Sequence, residues 1–122
     1  MFEIRTEVEI DATPECVWDV LLDFRAYQSW NPFLRYVGGT PKVGHRLEVR
    51  ARPSGGHGMT FRPTVLAAER PRQLRWVGRL LIPGILEGDH RFVIEPLSKG
   101  GARLHQSERF RGDFCSTASP YP

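Results

Sequence analysis

The chain has 122 residues, 40% of them hydrophobic and 25% charged; this fits one compact domain that can enclose a small cavity, and neither a disordered chain nor a second domain is expected. The 17 Lys and Arg outnumber the 14 Asp and Glu by three, but they are scattered, and no basic block of the kind that grips nucleic acid or an anionic membrane occurs. No run approaches the roughly 18 apolar residues of a membrane span, and the start, MFEIRTEVEI, is acidic where a secretory leader is basic, so a cytoplasmic location is expected, with neither nucleic acid nor a membrane span involved.

The stretch FEIRTEVEI alternates strictly, with Phe2, Ile4, Thr6, Val8 and Ile10 on one side and Glu3, Arg5, Glu7 and Glu9 on the other, the pattern of a half-buried strand. The period then changes. Thr13 is placed to cap a helix, Pro14 to occupy its first position and Glu15 to sit near its positive end, while Val17, Leu21 and Phe24 recur on one face; a helix running to about Arg25 is expected. Cys16 within that pattern reads as a small core residue and Cys115 as an exposed thiol, so no disulfide is expected. The segment AYQSWNPFLRYVGG reads as a broken aromatic connection, in which Pro32 ends a short second helix near Trp30.

Further strands follow, each closed by a turn signal: HRLEVRA, MTFRPTVLAAE, QLRWVGRLLI, GDHRFVIEPL and ARLHQSERF. The last two flank Ser98-Lys99-Gly100, a three-residue hairpin loop with Gly100 suited to its left-handed position. With that loop, residues whose numbers sum to about 198 lie opposite one another, so His90 faces Glu108, Phe92 faces Gln106 and Ile94 faces Leu104. A long antiparallel sheet with so few helices leaves one face to be filled. That face carries His90, Phe92, Ile94, Leu104, Gln106, Glu108 and Phe110, and a fully packed core would exclude the ionisable members. A His90–Glu108 pair is suited to orienting or protonating a ligand oxygen; a structural ion pair at the mouth of the sheet is the plainer reading of the same residues.

Other chemistry finds little support. The histidines at 45, 57, 90 and 105 lack metal-site spacing, and no serine sits in a nucleophile elbow. SGGHG precedes a strand, whereas phosphate loops precede helices. No metal or cofactor is expected.

The segment TPECVWDVLLDFRAYQSWNPF, followed in order by ERPRQLRWVGRL, LEGDHRFVIEPL and SERFRG, resembles the START-like helix-grip (SRPBCC) superfamily in its polyketide cyclase/dehydrase-like branch, over roughly residues 1 to 112. The resemblance implies an α+β fold in which a curved antiparallel sheet of six to seven strands, with one N-terminal helix and a short second helix, grips a long C-terminal helix around a hydrophobic cavity. It also implies that Trp30, Phe33, Phe61 and Trp76 border the ligand, alongside Phe92, Gln106 and Phe110 from the sheet. The departure lies at the end, because only DFCSTASPYP follows Gly112, too short and too rich in poor helix formers for that helix.

The expected organisation is thus a START-like domain over 1–112 and a short irregular tail over 113–122, with the long helix missing. The tail could plug the groove through Phe114 and Tyr121, or the uncovered face could pair with a second copy in a homodimer; truncation of a longer protein with self-association is the expectation. The expected function is binding of a hydrophobic or aromatic small molecule, lipid or polyketide-like, without defined chemistry. The alternatives are a cyclase or dehydratase using His90 and Glu108, and a self-associating domain without ligand function. Whether the chain is an enzyme stays open at this point.

Overall fold

A computed structural model describes residues 2–30, 34–51, 58–82 and 85–112. The first strand, β1 (Phe2–Ile10), leads into helix α1 (Pro14–Leu22). Thr13 caps the helix as expected, its hydroxyl accepting from the Cys16 amide at 3.1 Å. The helix stops three residues short of Arg25, because Asp23 leaves helical geometry with φ −79° and ψ 76°. A 3-10 turn (Phe24–Ala26) and the short helix α2 (Tyr27–Trp30) complete the connection. Tyr27 is fully buried and donates its hydroxyl to the Leu21 carbonyl; burial pushes its phenol well above the ordinary tyrosine range.

Seven strands follow, β2 (Leu34–Gly38), β3 (Glu48–Ala51), β4 (Met59–Phe61), β5 (Thr64–Glu69), β6 (Gln73–Ile82), β7 (Ile85–Pro96) and β8 (Ala102–Arg111). They form a five-stranded sheet in the order β1-β8-β7-β6-β5 and a three-stranded sheet in the order β2-β3-β4. This is the expected curved α+β architecture, with two strands more than the six read from the sequence. One is β2, whose five residues sit in the aromatic connection. The other arises where MTFRPTVLAAE divides at Arg62 and Pro63 into β4 and β5, since a proline cannot donate to a strand ladder. The two sheets stay joined there by the Leu47 amide donating to the Pro63 carbonyl at 2.8 Å and by an isolated bridge between Arg46 and Thr64. Pro63 also lies against Gly78 of β6, where a Cβ would come to 3.0 Å from the proline ring carbons, so a side chain there would force the proline to give way by a few tenths of an ångström.

The β7–β8 hairpin has the expected register, with His90 opposite Glu108, Phe92 opposite Gln106 and Ile94 opposite Leu104. Its loop closes through the Leu97 amide and the Gly101 carbonyl at 2.9 Å, and Gly100 has a φ of +102°, which glycine adopts without strain. The core joins α1 (Val17, Trp18, Leu21) to the inner face of the five-stranded sheet (Val65, Leu74, Trp76, Phe92, Ile94) and to Val37, Leu47 and Val49 of the smaller sheet side. Each large apolar side chain closed off this way contributes about 1.5–3 kcal/mol of burial free energy. The long C-terminal helix and the tail readings, including Phe114, Cys115 and Tyr121, fall outside the described residues.

Candidate functional site

The inner face of the five-stranded sheet is covered unevenly. Toward β6 and β7 it is packed, with Leu74, Trp76, Phe92 and Ile94 all at 3% exposure or less. Toward β8 and β1 it opens: Gln106 and Glu108 are half-buried, and Ile4 and Val8 are 50% and 54% exposed.

The His90–Glu108 pair straddles this boundary. Nδ1 of His90 lies 2.7 Å from Oε1 of Glu108, an imidazole N–H donating to a carboxylate oxygen. The histidine side chain is 6% exposed and the glutamate 28%, so one partner belongs to the core and the other to the open strip. Trp76 stacks on the imidazole at 5.0 Å between centroids and 19° between planes, and Phe92 leans against it at 4.4 Å. The second nitrogen, Nε2, is buried and has no hydrogen-bond partner among the described residues; a buried polar group left so costs about 1–3 kcal/mol. Together they form one row across four strands, Trp76, His90, Glu108 and Ile4.

An apolar groove lies further along the same strip. Val8 and Ile10 of β1, Leu104 of β8 and Val17, Val20 and Leu21 of α1 enclose about 310 Å³ with no polar lining residue. Leu104 is four residues along β8 from Glu108, about 13 Å at strand spacing, and Gln106 lies between them on the same face. Cys16, expected in the core, is instead exposed and lines this groove. The helix turns its Val17–Leu21 stripe into the core and leaves Cys16 and Val20 on the flank that faces Val8 and Ile10 of β1 across the groove. That flank is the part of the site the sequence reading missed, and the signal was Val20, an apolar residue off the main helical stripe.

The other candidate residues are spread around this centre. Trp76 and Phe92 are next to His90 but closed within the core, Gln106 pairs with Phe92 across the strands, and Phe110 is half-buried opposite Gly88. Phe61 belongs to the smaller sheet and packs against the core from there. Phe33 and the Trp30 side chain lie outside the described residues. Arg62 points outward to Glu48 at 3.4 Å. Among the described residues no three His, Cys, Asp or Glu side chains come together as a metal site, and no helix is long and apolar enough to cross a membrane.

The outer face is a lattice of charges. His105 lies between Glu7 at 3.2 Å and Glu95 at 2.9 Å. The hydrogen bond from His105, and then the charge of Arg103, hold the Glu95 carboxyl below its ordinary value. Arg75 grips Asp89 with both of its oxygens, at 2.9 and 2.6 Å, which raises the already high guanidinium value.

A family model for polyketide cyclase / dehydrase and lipid transport matches residues 1–120. The chain belongs to that family. No curated protein matches it. Among solved structures, a START superfamily protein from Mycobacterium smegmatis superposes with a TM-score of 0.73 at 19% identity, over 90% of this chain and 77% of that one. A protein from Chromobacterium violaceum gives 0.72 at 23% identity, over 93% and 82%. The di-domain ARO/CYC BexL of the BE-7585A biosynthetic pathway gives 0.72 at 16% identity, over 93% of this chain and 37% of that one. At these identities the likeness establishes the helix-grip fold that the family shares.

Proposed function

We propose that the chain binds a hydrophobic or aromatic small molecule, lipid or polyketide-like, on the open strip of the inner sheet face. The apolar body of the ligand occupies the groove between α1, β1 and β8, and a polar oxygen faces the His90–Glu108 pair. The observation that carries this reading is the groove, about 310 Å³ and lined by apolar residues alone, a volume at the lower end of small-molecule sites. The half-exposed Ile4, Val8 and Val20 beside it form an apolar surface that gains from being covered. Membership of a family described by polyketide cyclisation and lipid transport agrees with it.

A second reading, acid–base chemistry on a polyketone, is favoured by the unpartnered Nε2 of His90. An imidazole held on one nitrogen by a carboxylate, with the other nitrogen uncommitted, is the arrangement that moves a proton to or from a substrate oxygen. A third reading is that a homodimer through the uncovered face fills the groove with a second copy.

Titration with 1-anilinonaphthalene-8-sulfonate tests the three together. The wild type should enhance the dye's fluorescence, and Val20→Glu, a change at a residue 53% exposed, should abolish that enhancement without unfolding the protein. Absence of enhancement in the wild type, or enhancement untouched by the glutamate, refutes the binding reading, and a non-binding dimer supports the covered-face reading. His90→Asn and Glu108→Gln should abolish polyketone turnover while leaving dye affinity within about twofold if chemistry occurs; equal loss of both returns the protein to plain binding.

A further inference from the structure

Strand β1 ends the five-stranded sheet, so the backbone groups on its outer side have no strand partner among the described residues. Proteins normally blunt such an edge with charged side chains, a proline, a bulge or brevity. β1 has no proline or bulge and is not short, and its charges, Glu3, Arg5, Glu7 and Glu9, are of both signs. It runs nine residues, FEIRTEVEI, and its register against β8 is continuous from Phe2 to Ile10.

The sequence of β1 fits itself. If the sheet continues into a second copy with inner faces together, opposed residues must share parity, because side chains alternate between faces. A two-fold axis at Thr6 pairs all nine residues. It places Arg5 opposite Glu7 twice and Ile4 opposite Val8 twice. The neighbouring registers of the same parity place Arg5 on Arg5 or Glu7 on Glu7. Arg5 and Glu7 are 78% and 63% exposed and so have room to reach across. The like-charged pairing at the Thr6 axis, Glu3 with Glu9, also occurs twice, and basic neighbours lie beside each member: Arg109 is 3.8 Å from Glu3, and Lys99 and Arg103 are 3.3 and 3.7 Å from Glu9.

We propose that β1 is a dimerisation edge whose partner is a second copy of this chain, paired antiparallel about a two-fold axis at Thr6 to make a ten-stranded sheet. Such an interface is isologous, each patch meeting its own copy. It uses the edge of the sheet, and although the paired Ile4 and Val8 lie at the rim of the groove, the α1 side of the groove stays open.

The test is oligomeric state by light scattering coupled to size exclusion, over a range of concentrations, for the wild type, Arg5→Glu, Glu7→Arg and the double variant carrying both. Each single change creates two like-charge oppositions across the axis, and the double change restores opposite charge in the same places. The wild type should be a dimer, each single variant should weaken dimerisation about tenfold, and the double variant should recover it to within about threefold. Circular dichroism melts establish that each variant is folded. A wild type that stays monomeric overturns the proposal. So does a dimer indifferent to the single changes, a double variant that fails to recover, or a dimer abolished by Val20→Glu, which would place the contact on the inner face.

Discussion

Removing Glu108 and removing the whole His90–Glu108 pair should have unequal consequences, and the contrast separates a structural pair from one kept for a ligand. Glu108→Ala deprives Nδ1 of its 2.7 Å acceptor and leaves the ring, 6% exposed, with both nitrogens unpaired. Each buried polar group left alone costs about 1–3 kcal/mol; the quarter-exposed position of Glu108 admits some water, which puts the expected loss at about 1–2 kcal/mol. Replacing both residues, His90→Phe with Glu108→Leu, discards the charge-assisted bond but also removes the buried Nε2 that has no partner in the native fold. The new phenyl keeps the aromatic contacts to Trp76 and Phe92. These effects nearly cancel, and the double variant should fall within about 1 kcal/mol of wild type. At about 4 °C per kcal/mol for a domain of this size, the single change lowers Tm by about 4–8 °C and the double by no more than about 4 °C. Thermal and urea melts followed by circular dichroism give both numbers. A double variant as unstable as Glu108→Ala, or worse, would show that the pair is there to hold the fold, and the ligand assignment of Nε2 would fall with it.

Gly78→Ala brings a Cβ to 3.0 Å from the Pro63 ring carbons, a contact neither backbone can easily relax, and should cost about 1–3 kcal/mol; a urea midpoint equal to wild type would mean that the approach of the two sheets is looser than described. Thr13→Ala removes the helix cap and should lower stability by about 1 kcal/mol, with Thr13→Ser retaining it; equal loss in both variants would point to the methyl group instead. The Glu95 carboxyl is depressed by its bond from His105, so its contribution is present above the ordinary glutamate value and disappears as acid protonates it through the lower folded value. Wild type should therefore lead Glu95→Gln by a small Tm margin near neutral pH that closes on acidification, and a margin independent of pH would refute the assignment.

What the sequence made readable was local. Three loop residues, one of them a glycine in the left-handed region, set the β7–β8 register, and register alone put His90 opposite Glu108. Thr13 and Pro14 located the start of α1 for the same reason, since caps depend on their nearest neighbours. Burial was harder to read, because it depends on what lies across the molecule. Alternation placed Phe92 on the inner face and the family resemblance placed Trp76 beside the ligand, yet their depth follows from α1 and the smaller sheet closing over β6 and β7. Cys16 carries an apolar helical context and is nevertheless exposed, since the groove between α1 and β1 leaves that flank open. The reading of MTFRPTVLAAE as one strand passes over Pro63, and the use of the break there, joining two sheets against Gly78, appears only when residues fifteen apart in sequence are brought together.

The position of Cys16 gives the groove a chemical handle. Its thiol is exposed among the apolar residues that line the cleft, so anything seated there shields the sulfur from a modifying reagent. With Cys115 replaced by serine, the rate at which iodoacetamide consumes the remaining thiol becomes a direct readout of occupancy, and a compound that slows alkylation identifies itself as an occupant before any activity is known.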